Sequence, residues 1–376
     1  MRLWIEHAHQ SLSRAGEGGN DAVGTFQTEE QFFAVQVSCP EAGAEGGAKA
    51  RRIVEQAASL LQQGRALDTV AEAILAALPE GEYVPMSILQ VLGGCRAHLV
   101  ECDAPPLFMV RQGRLVLLPV LEEEVRGRLV RRCRFPLQDG DHLAIASPGY
   151  IRIKGWGRRW GWQDIALSIK RLTDTGCDAQ QLLGALIRTY QRLAGGVPER
   201  EVTVVAMHVR PVRTVTLWSG PPLDPAQDQA ALDRLMAGPG KRIICGDTTA
   251  EIAARLLGRE LEMEARPADG WAEVPPTSRL EGVDLVTEGV VTMGVARERT
   301  AGAQRVRDLP RRQDGATRLA RVLLEADVIH FLVGLAVNPA QTADDAGTVP
   351  LRRIAIEGLM NDLRARGKVV SVEHVG

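Results

Sequence analysis

Acidic residues beside glycine recur along the chain, and their type and spacing could bind a cation or transfer a proton. Asp21 follows Gly18 and Gly19 closely, and Asp139 and Asp141 flank a single glycine. Carboxylate oxygens are the ligands that Mg²⁺ and Mn²⁺ prefer. Aspartate beside glycine is also typical of turns. The spacing therefore indicates either a residual cation site around Asp21 or a set of turn residues.

A second pattern of polar residues could bind an anion. Gly246, Thr248 and Thr249 lie between a predicted strand, Arg242–Cys245, and a predicted helix, Thr249–Leu257. The free backbone N–H groups of a helix N-terminus bind anions, and threonine hydroxyls add donors. We therefore expect these three residues to be anion-binding candidates, with plain capping by an aspartate or threonine side chain as the alternative. The loop lacks the lysine and the spacing of a P-loop, so nucleoside triphosphate hydrolysis is not expected.

The cysteine and histidine residues indicate neither a zinc site nor a nucleophilic catalytic group. The six cysteines include no Cys-x-x-Cys pair, and no Cys/His spacing suits zinc. We expect reduced and mostly buried thiols, because no signal sequence is apparent. No Ser-His-Asp or Cys-His pattern stands out.

Composition narrows the class of protein. The chain has 376 residues, of which 45% are hydrophobic and 24% are charged, as in ordinary globular proteins. The 45 basic and 47 acidic residues give a net charge of −2, which argues against a generally basic nucleic-acid-binding protein. The sequence has no signal-peptide apolar region and no apolar run near the ~20 residues that a membrane span needs. We therefore expect a cytoplasmic protein without a nucleic-acid or membrane partner.

The elements that must position these residues follow two patterns. Across residues 1–218, predicted helices such as Ala48–Gln63 and Ala179–Ala194 are grouped among short apolar strands such as Phe32–Val37 and His142–Ser147. This grouping is typical of an α+β sandwich of antiparallel sheets rather than of a doubly wound sheet.

The first domain is expected to extend to residue 218, where the strands Val202–Val209 and Thr214–Trp218 end it. A connection rich in glycine and proline follows at residues 219–240. Across residues 241–376, strands and helices alternate, beginning with the strand Arg242–Cys245. This alternation indicates a smaller C-terminal α/β domain.

Short motifs follow one another in a recognisable order. In the first domain the pieces are Gly16–Val23, Phe33–Val37 with Gly43 to Ala48, Asp103–Pro106 with Met109–Gly113, Asp139–Ser147, and Val202–Val205. Together they resemble the motifs of bacterial metal-dependent serine/threonine phosphatases of the PPM type, in particular the branch of stage II sporulation protein E. Further pieces resemble the C-terminal extension of a subset of these proteins: Ser219–Pro222, Cys245–Ala250, Val283–Thr287 with Gly289, and Asn338-Pro339. The resemblance implies a PPM phosphatase-like α-β-β-α sandwich followed by a C-terminal α/β domain.

The resemblance also implies which residues occupy the metal-binding positions of the family. These phosphatases hold two divalent cations, usually Mn²⁺ or Mg²⁺, in a cluster of aspartates, and the metals activate a bridging water. Asp21 retains the early aspartate. The degenerate positions fall on Ser38, Cys39, Pro148 and Arg200, whereas Glu201 is, with Asp21, a residual candidate. We do not expect Asp21, with Glu201 as a partial substitute, to hold two divalent ions.

The cation at Arg200 suggests a specific arrangement. In a metal pocket, a guanidinium would repel the ion by ~4 kcal/mol at 4 Å with an effective dielectric constant near 20. Because one aspartate is lost where one cation is gained, our hypothesis is that Arg200 occupies the metal position and pairs with Asp21. Side chains more than about 6 Å apart would refute it.

These observations favour a catalytically degenerate phosphatase-like protein with a regulatory or binding role in bacterial signalling. Its expected partner is a signalling protein or a phosphoprotein, and no cofactor is expected. One alternative is an active Mn²⁺- or Mg²⁺-dependent protein serine/threonine phosphatase whose rearranged site uses Asp21, Glu201 and loop carboxylates such as Asp141. Another is a small-ligand sensor in which Thr248 and Thr249 of the C-terminal domain bind the ligand.

Overall fold

The computed structural model describes residues 2–13, 19–41, 43–151, 161–174, 176–196, 201–264, 274–336 and 351–376. Contacts within the chain divide it into two units, Met1–Pro211 and Val212–Gly376. No helix among the described residues is both long enough and apolar enough to cross a membrane.

The first unit contains two groups of strands, each accompanied by helices. Its strands are β1 (Leu3–Leu12), β2 (Asp21–Gln27), β3 (Gln31–Ser38), β4 (Met86–Leu92), β5 (Arg96–Cys102), β6 (Phe108–Arg111), β7 (Arg114–Leu115), β8 (Leu121–Val125), β9 (Arg128–Pro136), β10 (His142–Ala146) and β11 (Val202–Pro211). Its helices are α1 (Ala44–Gln62), α2 (Leu67–Ala77), α3 (Pro148–Ile151), α4 (Trp162–Thr173) and α5 (Ala179–Ala194). The predicted bounds of Ala179–Ala194 are confirmed.

The described strands of the first unit form two antiparallel sheets. The β11 sheet has the order β1-β11-β10-β6-β7, and the β3 sheet has the order β2-β3-β4-β5-β9-β8. Every neighbouring pair is antiparallel. Although β1 and β11 are far apart in the chain, they pair along their whole lengths, which places Ser11 opposite Thr203.

Alternation of side chains along the strands builds four layers. In β3, Phe32 and Ala34 pack between the two sheets, whereas Phe33 and Val35 pack against α1 and α2. On the far side, apolar residues of the β11 sheet pack against α4 and α5, and they include Phe108, Ala144, Val204 and Ala206. The first unit is therefore the expected α-β-β-α sandwich.

The second unit alternates strands and helices. Its strands are β12 (Thr214–Ser219), β13 (Lys241–Cys245), β14 (Leu261–Met263), β15 (Ser278–Leu280), β16 (Leu285–Thr287), β17 (Val328–Gly334) and β18 (Val369–Val375). Its helices are α6 (Asp228–Ala237), α7 (Asp247–Leu257), α8 (Val290–Gly302), α9 (Gly315–Glu325) and α10 (Leu351–Ala365), with short 3-10 turns at Pro225–Gln227 and Val306–Asp308.

The described strands of the second unit form one sheet of order β14-β15-β16-β13-β12-β17-β18. The strands from β16 to β18 are parallel, and β14 and β15 pair antiparallel at one edge. Across the sheet, the parallel strands have the order β16-β13-β12-β17-β18, so the first of them in the chain, β12, lies in the middle. Residues of α6 and α7 pack on one face, and residues of α8, α9 and α10 pack on the other. The expected C-terminal α/β domain is confirmed.

The boundary between the units differs from the expected one. The strand Thr214–Trp218, which we expected to close the first domain, is part of β12 and lies in the middle of the second sheet. The expected connection at residues 219–240 contains α6, whose Leu232 and Leu235 are buried in the core of the second unit. An apolar run predicts a buried strand but does not identify its neighbours, and for this reason the sequence placed the boundary too late.

Candidate functional site

The β3 sheet contributes Asp21 and Ser38 to a cluster of polar residues at the strand ends of the first unit. Asp21 begins β2, Ser38 ends β3, and the two residues are paired directly. Beyond the strands, the backbone N–H of Cys39 donates to the carbonyl oxygen of Asn20 at 3.0 Å, and the Asn20 side-chain amide donates to the Cys39 carbonyl oxygen. These bonds fix Asp21 opposite Ser38.

The β11 sheet contributes Ser147 and Thr203. Ser147 directly follows β10, and its N–H donates to the Thr203 carbonyl oxygen at 2.9 Å. In return, the Thr203 N–H donates to Ser147 Oγ at 2.9 Å. The Thr203 hydroxyl lies 2.7 Å from the hydroxyl of Ser11 on β1. Pro148 begins α3 directly after Ser147, a first-turn position where the missing N–H of proline is tolerated.

Glu201 connects these segments. Its Oε2 accepts the backbone N–H of Asp21 at 2.5 Å. Gly19 allows this approach, because a Cβ atom at residue 19 would overlap the Glu201 carboxylate. A Cβ atom on Gly149 would likewise overlap the Glu201 carbonyl oxygen. Two glycines therefore let two separate segments approach the same glutamate closely.

Asp21 and Glu201 form a pair of carboxyl groups that favours protons. Burial raises the pKa of Asp21, and the hydroxyl groups of Ser38, Thr203 and Ser147 oppose the rise. Burial also raises the pKa of Glu201, where the backbone N–H groups of Asp21 and Asn20 oppose the rise and the charge of Asp21 adds to it. Because the charge of Asp21 adds to the rise in the Glu201 pKa, ionisation of Asp21 disfavours ionisation of Glu201.

The residues of this cluster do not fit a two-cation centre. The described part of the chain contains no group of three or more His, Cys, Asp or Glu side chains placed to hold a metal ion. The cluster offers two carboxyl groups, one of which already accepts a backbone N–H, together with neutral hydroxyls. Oδ2 of Asp21 is buried and has no hydrogen-bond partner among the described residues, so one acceptor remains available. Two adjacent divalent ions need more carboxylate oxygens than this.

The structure brings together some of the residues singled out from the sequence and separates others. Asp21, Glu201 and Ser38 meet as described. Cys39 instead belongs to the apolar core beneath α1 and α2, where burial raises the pKa of its thiol to about 11. Arg200 lies outside the described residues, so its pairing with Asp21 stays a prediction.

The loop carboxylates do not belong to the cluster. Asp141 precedes β10, at the opposite end of that strand from Ser147, and is fully buried. Its two oxygens accept hydrogen bonds from Arg111 at 2.8 and 2.7 Å. Asp103 lies in a loop and accepts a backbone N–H at 3.1 Å. Asp141 is thus committed to an ion pair and does not supply the rearranged metal site that we considered as an alternative.

Several solved structures resemble this chain in fold. One is the phosphatase domain, with a fragment of the regulatory domain, of SpoIIE from Bacillus subtilis: it is 14% identical with a TM-score of 0.46, and the match covers 55% of this chain and 64% of that one. The RsbU and RsbW domains of a Mycobacterium tuberculosis protein are 15% identical with a TM-score of 0.47, over 66% of this chain and 69% of that one.

The catalytic domain of the serine/threonine phosphatase PstP, solved in complex with two manganese ions, also matches. It is 16% identical with a TM-score of 0.40, and the match covers 56% of this chain and all of that domain. No protein-family model matches the sequence, and no curated protein matches it. At these identities the likeness concerns the fold, so the chemistry of the site depends on the residues of this chain alone.

Sequence reasoning missed Ser147 and Thr203 as members of the cluster. Ser147 was considered only through its neighbour Pro148, and Thr203 only as part of a strand motif. The available signal was a hydroxyl at each of several strand ends, at residues 38, 147 and 203. These residues are far apart in the chain, so the hydroxyls indicate a common site only once the pairing of the strands is known.

The second unit places its anion-binding candidates at the start of α7. Gly246 is the residue before the helix, and it carries no side chain to cap the first turn. The alternative that we considered, capping by an aspartate or threonine side chain, is wrong. The N-cap residue is Gly246, and Asp247 is the first residue of the helix. Thr248 is exposed and Thr249 is buried. Asn338 and Pro339 lie outside the described residues.

Proposed function

We propose that the first unit is a phosphatase-like domain of the PPM type that has lost two-metal hydrolysis and acts as a regulatory or binding module in bacterial signalling. The observation that carries the proposal is the composition of the cluster around Asp21. Where the resembling phosphatases have a group of aspartates, this chain has one aspartate, one glutamate and the hydroxyls of Ser38, Ser147 and Thr203.

The electrostatics of the cluster support this proposal. Metal-assisted phosphoester hydrolysis needs cations that lower the pKa of a water and neutralise the phosphoryl oxygens. The Asp21–Glu201 pair has the opposite tendency, because burial favours the neutral, protonated form of both groups. The hydrogen bond from the backbone N–H of Asp21 to Glu201 connects β2 to the segment before β11 through protein atoms alone. The partner in this proposal is a bacterial signalling protein or a phosphoprotein.

Titration of Mn²⁺ into the chelator-stripped full-length protein near neutral pH, followed by calorimetry, tests the proposal. We expect no binding at millimolar metal and no Mn²⁺-dependent turnover of a phosphoserine peptide. Asp21→Asn and the exposed-turn control Asp139→Asn should behave as the wild-type protein does in both assays.

Micromolar binding of about two ions per chain would overturn the proposal. So would Mn²⁺-dependent turnover that Asp21→Asn abolishes and Asp139→Asn preserves. That combination would establish an active phosphatase with a rearranged site, which is our alternative proposal. The observation that favours this alternative is the buried Oδ2 of Asp21, which has no hydrogen-bond partner among the described residues.

A further inference from the structure

The parallel strands of the second unit end at a point where the order of strands reverses. β12 lies between β13 and β17, and Ser219 at its end is level with Cys245 and Val333. In doubly wound sheets, ligands bind in the crevice outside the carboxyl ends of the strands at such a switch point. Since neighbouring strands are about 4.8 Å apart, these three ends present an edge about 10 Å wide.

Glycines bring the loops of this edge into close contact. A Cβ atom on Gly334 would overlap the carbonyl oxygens of Gly220 and Pro221, so the segments after β17 and β12 touch through their backbones. Gly246 has a φ of 134°, which residues other than glycine rarely adopt. Its N–H donates to the carbonyl oxygen of Thr287 at 2.8 Å. The backbone at this edge is therefore held in one arrangement.

Two buried hydroxyl groups at this edge have no hydrogen-bond partner among the described residues. Ser219 is 0% exposed and Thr249 is 1% exposed, and neither hydroxyl is paired. A Cβ atom on Gly246 would lie 3.2 Å from Thr249 Oγ1, so this hydroxyl lies beside the residue that precedes α7. A buried hydroxyl without a partner destabilises the folded state. Both groups are donors that a ligand oxygen would satisfy.

The backbone of α7 adds donors at the same place. The first N–H groups of a helix have no partner within the helix. In α7, a helix of 11 residues, the residue at the N-cap is Gly246, which has no side chain to accept from them. The partial positive charge of a helix N-terminus also favours an anion.

A cation lies at the other side of the switch point. Arg352 of α10 donates to the carbonyl oxygens of Gly334, at 3.0 Å, and Ala336. Its guanidinium covers Gly220, where a Cβ atom would overlap it. Its hydrogen-bond partners among the described residues are neutral carbonyls, and burial lowers its pKa. A partly desolvated cation whose partners among the described residues are neutral favours an anionic ligand.

Two acidic residues border the edge and limit where an anion can bind. Glu288 accepts the N–H of Thr292 at 3.2 Å and its hydroxyl at 3.4 Å, so Glu288 occupies the N-terminus of α8. Asp247 is exposed at the start of α7, where solvent and salt weaken its repulsion. The available donors therefore lie between α7 and Arg352.

We propose that the second unit binds the phosphoryl group of a small phosphorylated molecule at this switch point. The phosphoryl oxygens accept from the N-terminus of α7 and from the hydroxyls of Ser219 and Thr249, and Arg352 supplies the compensating charge. This site consists of residues of the second unit alone, so its test is independent of the function proposed for the first unit.

Calorimetric titration of the full-length protein with inorganic phosphate, AMP and ADP tests the site. We expect saturable binding of at least one of them with a Kd below about 1 mM, and a rise in Tm at saturation. Equal affinities for phosphate and the nucleotides would identify free phosphate as the ligand. Affinity for AMP or ADP about tenfold or more above that for phosphate would identify a nucleotide.

Substitutions that leave the fold intact show whether the named residues bind the ligand. Thr249→Val and Ser219→Ala each remove an unpaired hydroxyl, so we expect the ligand-free Tm to stay the same or rise while affinity falls about tenfold. Thr216→Val is the matched control, because Thr216 also lies buried in β12 with an unpaired hydroxyl but is three residues before the strand end. Its affinity should remain within twofold of the wild-type value.

Arg352→Gln should abolish measurable binding, and Asp247→Asn should tighten it. Absence of binding by phosphate, AMP and ADP at about 10 mM would overturn the proposal. It would also be overturned if Thr249→Val and Thr216→Val had the same affinity as each other, or if citrate at matched ionic strength competed equally with every variant, since either result would indicate non-specific binding.

Discussion

The carboxyl groups of Asp21 and Glu201 determine what the first unit can do chemically. Burial raises the pKa of both, and the charge of Asp21 raises that of Glu201 further. A carboxyl group whose pKa is higher in the folded state binds its proton more tightly there than in the unfolded chain. Stability is therefore lost as pH rises through the interval between the unfolded and folded pKa values, and it stays lost at higher pH.

This sign gives a prediction for Asp21→Asn. The variant cannot ionise, so its free energy of unfolding at pH 8 should exceed that of the wild-type protein by about 1 kcal/mol. The gain should shrink as pH falls toward the ordinary carboxyl pKa, where the wild-type group is protonated in the folded state. Urea denaturation at several values between pH 4 and pH 8 measures it.

Asp139→Asn is the control for this series, because Asp139 is an exposed turn residue whose substitution should change stability by less than about 0.5 kcal/mol at any of these pH values. If Asp21→Asn were the less stable protein at pH 8, the carboxylate of Asp21 would be stabilised in the folded state. That outcome would mean that the three hydroxyls, or a bound cation, outweigh the cost of burying it.

At the residue level, the sequence identified the acids of the cluster but not its hydroxyls. Asp21 and Glu201 were found because each belongs to a short sequence motif, and the order and spacing of these motifs are recognisable. Ser147 and Thr203 were not, because a serine or threonine at a strand end is common and gains meaning only when two sheets bring the ends together. Arg352 gave no signal, since its position over Gly220 depends on contacts across about 130 residues of chain.

At the level of elements, α5 shows how a local motif supports the site. Asp178 accepts the N–H of Gln181 at 2.6 Å, and the Gln181 side chain accepts the N–H of Asp178 at 2.9 Å. This reciprocal pair is a capping box. Buried residues of α5, among them Leu182 and Leu186, pack against the sheet that contains β11, and so the helix supports the strand that carries Thr203.

We expect Asp178→Ala to lower the free energy of unfolding of the first unit by about 1 kcal/mol, because the helix loses its N-cap. Asp178→Asn retains an acceptor oxygen and should stay close to the wild-type value. The midpoint of urea denaturation, followed by circular dichroism, measures both. A similar loss in the two variants would show that the charge of Asp178, rather than its hydrogen bond, stabilises the helix.

The elements themselves were predictable where their pattern was regular. The bounds of Ala179–Ala194 were correct because a helical period and a capping residue agree there. β1 and β2 were not predicted: β1 mixes His7, His9 and Gln10 among its apolar residues, and β2 contains Gly24. Polar and glycine residues weaken a strand pattern, and only pairing with β11 and β3 shows these segments to be strands.

At the scale of the whole molecule, the two units have separate hydrophobic cores. The apolar clusters of the first unit contain residues up to Val209, and those of the second begin at Val215. β12 belongs to the second of these by register, since it pairs with β13 on one side and β17 on the other. Each unit therefore has the core that independent folding requires.

A fragment of residues 212–376 should then fold alone, whereas a fragment of residues 219–376, which begins at the connection expected from the sequence, should not. The shorter fragment lacks most of β12, so β13 and β17 lose the strand between them. Trp218, which is 0% exposed, is present only in the longer fragment.

Urea unfolding of each fragment, followed by circular dichroism, distinguishes the two boundaries. We expect one cooperative transition for residues 212–376, accompanied by a change in tryptophan fluorescence, and no cooperative transition for residues 219–376. A Leu217→Ala substitution in the longer fragment, which removes a fully buried side chain from the central strand, should cost about 2–5 kcal/mol. Cooperative unfolding of the shorter fragment would show instead that β12 is dispensable to the second core, and the boundary would return to residue 218.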